Sequence, residues 1–503
     1  MHSVRRTWPR AVATSAAAAG LALTAVAAAP VTATVTASAH TSALPRTAAR
    51  PAIAGHQLIR AVGSPLSTEE CRTKWKIACY TPLQYRQAYD LNPLYKAGIT
   101  GKGRTIVIVD SFGSPTVQHD LDVYSRQFGI PGTKVQVVKW GNVPKWDPKN
   151  DDMLGWAGET TLDVEMAHAV APDAKIVLVE TGVAETEGTT GLPEMMDAEK
   201  ALIDRGIGDV ITQSFGATEN TFPGFDKGDF SSIRKLRYAF EAAARNHVTV
   251  LASSGDGGAT DNTADGTGYY HERVNSWPSS DPLVTSVGGT QLHLDDAGRR
   301  TAPESVYNDN GAGGGGQSHV FARPAFQDGV KNVVGGRRGT PDISMAAAVD
   351  GGAWLYSSYD PAATGWEVSG GTSESSPLFS GIVALADQAA GKRLGDIHEA
   401  LYRLYGRSAY DRSTGIVDVN DGTNNSYQGV TGYTAVNGYD MATGVGTLDA
   451  TRFVTALAHR VKANAPAAGS LGPANTVTTT SEDRRDHGHD RGHENGPRTG
   501  GAT

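Results

Sequence analysis

Cysteine is scarce in this 503-residue chain: Cys71 and Cys79 are the only two, which excludes a disulfide-rich scaffold and a cysteine-based metal cluster. Basic charge is in deficit as well. Lys and Arg total 45 against 53 Asp and Glu, so the chain carries no electrostatic footprint for nucleic acid, and a net charge of −8 is too mild to name a partner. Internal repeats are absent, which excludes solenoids and propellers. The one long apolar stretch lies at the N-terminus, where Arg5, Arg6 and Arg10 precede an Ala/Leu/Val run that ends in small residues at Ala37-Ser38-Ala39. That is the pattern of an export signal over residues 1–39, removed from the mature protein, and not of a membrane span. The Arg5-Arg6 pair leaves a twin-arginine route open beside the general one. In an exported chain the two cysteines are expected to pair and staple a short loop.

Residues 40–70 mix Ala, Thr, Pro and Arg without periodicity and read as a short pro-segment or linker; residues 463–503 are polar and read as a disordered tail. The span 71–462 is expected to form a single large domain. In it, apolar runs at Thr105 to Val109, Lys175 to Val179, Asp209 to Ile211 and Val248 to Ala252 alternate with helical patterns such as Glu159 to Val170 and Ser231 to Asn246. Apolar strands separated by helices predict an α/β fold with a mostly parallel sheet flanked by helices on both faces. Ligand chemistry in such folds gathers beyond the carboxyl ends of the strands. There fall Asp110-Ser111-Phe112-Gly113, Ser214-Phe215-Gly216 and Ser254-Gly255-Asp256-Gly257-Gly258.

Another loop has the make-up of a nucleophile's seat. In the stretch SGGTSESSP, Ser369 to Pro377, two glycines permit a sharp turn, and the apolar run from Leu378 predicts a helix that begins close behind Ser373. Amides at such a helix start are free to stabilise an oxyanion. An ordinary helix cap would look the same. A serine nucleophile of subtilisin type needs a histidine base in a His-Gly-Thr segment, and the chain has none. Upstream of Ala171-Pro172 stands Gly158-Glu159-Thr160-Thr161-Leu162-Asp163 instead. The spacing of Glu159 and Asp163 puts both carboxylates on one helical face, about 6 Å apart along the axis. Like charges so placed repel unless they share a proton or meet a partner. His168 points away from that stripe and reads as a packing residue, Glu165 reads as structural, and His119 and His271 lie in no supporting motif.

The ordered set Glu-x-x-x-Asp before Ala-Pro, Ser-Gly-Asp-Gly-Gly, and Gly-Gly-Thr-Ser-x-x-x-Pro resembles the sedolisins, or serine-carboxyl peptidases, acid-acting relatives of subtilisin in fold. The resemblance runs from about Cys79 to Leu457 and takes in Trp277-Pro278, Val287-Gly288-Gly289-Thr290 and Pro341-Asp342-Ile343-Ser344. It implies Ser373 as nucleophile, Glu159 as general base and later acid, Asp163 as the carboxylate that orients Glu159, and Asp256 as the oxyanion-hole partner of the Ser373 amide. A glutamate with a reference pKa of about 4.3 stays partly ionised where a histidine, at about 6.5, is protonated, so the expected action is acidic. Asp256 can donate a hydrogen bond only while protonated, which calls for low pH or a raised pKa. Two positions depart from the pattern. Asp110 stands where some sedolisins carry a glutamate that extends the triad, and Phe215 where those carry a tryptophan, so the outer hydrogen-bond link is altered or absent.

The resemblance also implies one structural Ca²⁺, with carboxylates from Asp418 and Asp440 and carbonyls from Val419, Val436 and Gly438, in loops of the oxygen-rich kind that Ca²⁺ takes. The whole reads as a secreted, extracellular, monomeric serine-type endopeptidase acting on proteins or peptides, with no nucleic-acid partner and no membrane contact after signal removal. Two alternatives stay open: a non-catalytic binding protein on the same fold, and tripeptidyl-peptidase action.

Overall fold

A computed structural model of the chain describes residues 59–408 and 411–464. The expected signal peptide, the start of the expected pro-segment and the expected tail past residue 464 lie outside the described residues. One eight-stranded sheet comprises β1 (Thr105–Ser111), β2 (Val135–Trp140), β3 (Lys175–Thr181), β4 (Val210–Gln213), β5 (Thr249–Ser253), β6 (Thr285–Gln291), β7 (Ser305–Val306) and β8 (Ile343–Ala346). The order is β7-β6-β5-β4-β1-β3-β2, with β8 also paired to β6. Every pairing is parallel except the short one between β6 and β7. The fold is the mostly parallel α/β arrangement expected from apolar runs separated by helices.

Helices that cover the sheet are α1 (Val117–Phe128), α2 (Asp151–Val170), α3 (Leu192–Asp204), α4 (Tyr238–Arg245), α5 (Thr372–Ala390) and α6 (Ala450–Asn464). Side chains alternate across a strand, and β1 therefore feeds two apolar layers. Ile106 and Ile108 pack with α1, α2, α5 and α6, while Val107 and Val109 pack with α3 and α4. The expected helix from Ser231 to Asn246 is interrupted at Arg237, whose guanidinium turns to Asp281 through hydrogen bonds of 2.6 and 3.0 Å.

α2 begins well ahead of the expected Glu159. Asn150 caps it by accepting from the Met153 amide at 3.0 Å, and Asp151 and Asp152 suit the positive end of the helix dipole. From Trp156 to Val170 the helix is buried on every side, so it shows no polar face in the sequence. α5 lies against it closely enough that a Cβ at Gly381 would sit 2.6 Å from the Val170 Cβ.

A four-stranded sheet joins Ile59–Val62, Gly365–Ser369, Gly352–Ser357 and Cys79–Tyr80 in that order. Its first strand lies in the span expected as linker. It pairs antiparallel with Gly365–Ser369, Ile59 opposite Val368 and Val62 opposite Trp366, and so covers an edge that would otherwise expose unpaired backbone groups. A helix at Thr68–Trp75 follows, capped by Ser67 and Glu70, and Cys71 in it is disulfide-bonded to Cys79.

Candidate active site

Three neighbouring parallel strands deliver site residues from their carboxyl ends: Asp110 from β1, Ser214 just past β4 and Asp256 just past β5. α2 adds Glu159 and Asp163, one turn apart and fully buried. Thr160 donates its hydroxyl to Asp110 Oδ2 at 2.9 Å, and Ser214 donates to Asp163 Oδ1 at 2.7 Å. Burial pushes Asp110 and Asp163 well above the ordinary aspartate range. Neighbouring carboxylates push further, Glu159 on Asp110, and Asp110 then Glu159 on Asp163. Asp110, Glu159 and Asp163 thus form one cluster of interacting carboxyls. Phe215 is buried in the α3/α4 layer and has no side-chain donor to offer, so Thr160 supplies the hydrogen bond to Asp110.

Ser373 is fully buried, in the first turn of α5. The helix starts at Thr372, ahead of the expected point, and Pro377 lies inside it. An amide at position 377 would bond the Ser373 carbonyl, but proline has none. That carbonyl oxygen lies instead 3.5 Å from Ser214 Oγ, the hydroxyl that serves Asp163. Ser214 therefore links the nucleophile's backbone to the carboxylate helix. The motif loop after β4 pointed to its neighbourhood, but nothing in the sequence singled out its hydroxyl.

Asp256 Oδ1 accepts from the Thr372 amide at 2.7 Å, and Thr372 Oγ1 accepts from the Gly255 amide at 3.1 Å. Asp256 Oδ2 has no hydrogen-bond partner among the described residues. Gly371, at φ +113°, lets the chain pass beside it, since a Cβ there would lie 2.7 Å from Oδ2. Burial raises Asp256 to about 7, against the hydrogen bonds from Thr372 and with a further push from Glu159. Below that pH Asp256 carries a proton next to the first-turn amides of α5, the donor pair an oxyanion needs.

Among the described residues no histidine is hydrogen-bonded to Ser373. Ser373 Oγ has no hydrogen-bond partner among the described residues. His168 is buried on α2 and lowered to about 4 by burial, His119 pairs with Asp120, and His271 is exposed. A base's hydrogen bond to its nucleophile often tightens only when substrate binds.

The residues expected around calcium converge in two loops. Asp418 Oδ2 accepts from the Gly438 amide at 3.0 Å and from Asn420 Nδ2 at 3.2 Å. Asp440 Oδ2 accepts from the Val436 amide at 3.1 Å, and Oδ1 from the Ala442 and Thr443 amides at 3.0 and 2.9 Å. Val419 is buried with Val306, Ala435 and Ala442, while Val436 is exposed. Burial raises Asp440 to about 6 and Asp418 in the same direction, and no basic side chain offsets either. No group of three or more His, Cys, Asp or Glu side chains suited to a metal occurs among the described residues, so two carboxylates would need carbonyls to complete a site. That donor chemistry fits a hard cation such as Ca²⁺.

The Subtilase family model matches residues 152–446, more than half of the chain. Kumamolisin of Bacillus sp. (strain MN-32) is 32% identical over 399 residues, covering 75% of this chain and 63% of its own length. Sedolisin of Pseudomonas sp. (strain 101) is 30% identical over 379 residues, covering 74% and 60%. Tripeptidyl-peptidase 1 of Bos taurus is 30% identical over 246 residues, covering 44% and 40%. The chain thus spans less than two thirds of the length of these curated relatives. The solved structure of Pseudomonas sedolisin, a serine-carboxyl proteinase complexed with two molecules of pseudo-iodotyrostatin, matches with a TM-score of 0.62 at 27% identity, over 77% of this chain and 99% of that one. With a glutamate and an aspartate on α2 where a subtilisin-type site needs its histidine, the chain belongs to the subtilase family and, within it, to the sedolisins.

Proposed function

We propose that the chain is an acid-acting serine-carboxyl endopeptidase that hydrolyses peptide bonds through an acyl-enzyme on Ser373. The observation that carries this reading is the Ser214 hydroxyl, which joins Asp163 to the backbone of Ser373 in one buried site. Glu159 takes the Ser373 proton as Oγ attacks the carbonyl carbon, and Asp163, held by the Ser214 hydroxyl, orients Glu159. The Asp256 proton and the Ser373 amide receive the oxyanion. When the intermediate collapses, Glu159 returns the proton to the leaving amine; a water then attacks the ester with Glu159 again as base, which frees Ser373.

Hydrolysis of a denatured protein is expected to be fastest at acid pH and to fall as pH rises through the Asp256 value of about 7, because the ionised carboxylate cannot donate and places negative charge beside the oxyanion. Rates across the range from about pH 3 to 8 test this, and a flat profile between about pH 4 and 8 would overturn the assigned roles. Tripeptidyl-peptidase action is a second reading, favoured by the names of relatives such as the Bos taurus protein.

Asp418 and Asp440, with the carbonyls of Val419, Val436 and Gly438, would hold one structural Ca²⁺ that offsets the charge of two carboxylates, one buried and one exposed. Adding a chelator is expected to lower Tm by about 2–3 °C, the shift from about 2 kcal/mol of lost binding free energy in a domain of this size. An unchanged Tm would remove the site. Export with loss of residues 1–39 and extracellular action as a monomer belong to the same proposal. Among the described residues no helix is long and apolar enough to cross a membrane.

A further inference from the structure

Loops beyond the carboxyl ends of β3 and β5 bring a second acidic set beside the catalytic groups, and the mechanism above does not use it. Glu185 and Glu187 come from the loop after β3, and Asp261 from the loop that begins with Asp256. The Glu185 amide is anchored on Ser111 Oγ at the end of β1, at 3.1 Å. Glu187 Oε2 accepts from the Thr218 amide at 2.8 Å and from Thr221 Oγ1 at 3.0 Å. Asp261 accepts from the Ser276 hydroxyl and from the Asn262 amide at 2.9 Å. Asp261 also borders the reacting centre: its Oδ2 lies 3.5 Å from where a Gly255 Cβ would stand, and Gly255 bonds Thr372, next to Ser373.

Among the described residues no basic side chain pairs with this set. Glu185 is fully buried, and neither of its carboxyl oxygens has a hydrogen-bond partner among the described residues. Thr218 ties the two loops together, its amide donating to Glu187 and its hydroxyl to the Asn262 carbonyl at 2.8 Å. Burial raises all three carboxyls, Glu187 and Asp261 raise Glu185 further, and Asp261 raises Glu187. A buried carboxyl without a partner is unfavourable unless it stays protonated or meets a cation. A metal ion is not the match, because the three do not gather as a metal-holding group. An organic cation, held through longer charge-assisted hydrogen bonds, is. Asp261 is partly exposed, Glu187 nearly buried and Glu185 fully buried. Tyr269 beside Asp261 and Tyr270 beside Glu187 supply aromatic surface for an alkyl stem.

We infer that Glu185, Glu187 and Asp261 form a subsite for a cationic group of the peptide substrate, an ammonium or guanidinium. The inference rests on the peptidase reading and adds to it the class of peptide preferred. Two sources carry that chemistry, a Lys or Arg side chain near the scissile bond and the free N-terminus of the peptide.

Paired peptides separate them. One series has an acetylated N-terminus and carries Lys or norleucine at each position around the scissile bond in turn; a further pair is neutral, with a free or acetylated N-terminus. The parent is expected to prefer the cationic member of at least one pair by about tenfold or more in kcat/KM at about pH 6, and less strongly at about pH 4, where carboxyls raised by burial are protonated; Glu187→Gln and Asp261→Asn are expected to reduce the ratio at about pH 6 to about twofold or less. Preference in the Lys series identifies a side-chain subsite; preference for the free N-terminus identifies an N-terminal anchor. Each ratio is internal to one variant, so partial misfolding scales both members alike. Ratios near one throughout in the parent, or a ratio that survives both substitutions, would overturn the inference and leave the peptidase reading standing. A parent that cleaves none of the peptides, or a Ser373→Ala variant that cleaves them as well as the parent, would overturn both.

Discussion

Ser373→Ala is expected to lower kcat/KM on a peptide substrate by on the order of 10⁴-fold or more, and Glu159→Gln by a comparable factor. Alanine removes the atom that forms the acyl-enzyme. Glutamine keeps the shape of Glu159 but cannot take the proton from Ser373 Oγ, and the two losses act on one step. The double variant is therefore expected to be little slower than either single one, the non-additivity of groups that work as a unit. Steady-state rates at acid pH, with Tm measured on each variant, check this. Loss with Ser373→Ala and near-full activity with Glu159→Gln would point to a histidine base such as His119 or His271. A parent without activity would favour a binding protein on the same fold.

The second large effect is on stability. The folded chain is expected to be most stable in mild acid and to lose several kcal/mol between about pH 4 and 8. Burial raises Asp256 and Glu219 to about 7 and Glu199 and Asp387 to about 8. In the unfolded chain these groups lose their protons near their ordinary values of about 4, so above that pH the native state binds more protons and stability falls as pH rises. Each contributes up to about 1.4 kcal/mol per pH unit within its own window.

A buried ion cluster sets the acid limit. Against burial, which raises it, the Arg338 guanidinium and then His398 hold Asp342 well below the usual carboxylate range. That stabilisation is present above the ordinary aspartate value and lost as pH falls through the depressed one. Asp396 and Asp342 overcome burial and raise His398 to about 9, so its contribution is full below about 6.5 and lost as pH rises through about 9. Urea midpoints at constant ionic strength across this range check the slope, and Glu199→Gln should flatten part of it. A midpoint that rises steadily from about pH 5 to 8 would contradict the sign.

Much of the architecture was legible because burial on both faces leaves an unmistakable trace, as in the continuous apolar run of β1. The Glu159/Asp163 pair was legible through helical spacing and the lack of any histidine segment. Asp256 was legible only as part of an ordered set of motifs, since Asp-Gly after a strand is ordinary turn chemistry. The part of Ser214 was hidden for a different reason. A loop serine has the same sequence signature whether its hydroxyl meets water or a carboxylate from a distant helix. Pro377 was a signal whose meaning needed the fold: it marked a helix nearby, but the carbonyl it leaves free sits inside that helix. Glu185 and Glu187 look like solvated loop charges until the sheet folds over them, and Ile59–Val62 has no pattern apart from the edge it covers.

The packing of α5 on α2 also bears on the safety of making such a chain. Ser373 and Glu159 are supplied by helices separated by more than 200 residues, with strands β3 to β8 between them. Contacts this distant form only after the intervening chain has closed on itself, so they are among the last that folding completes. A partly synthesised or unfolded chain holds a serine without its base, or a base without its serine. On the proposed mechanism the reacting pair is assembled last, so an unfinished chain cannot cleave its neighbours.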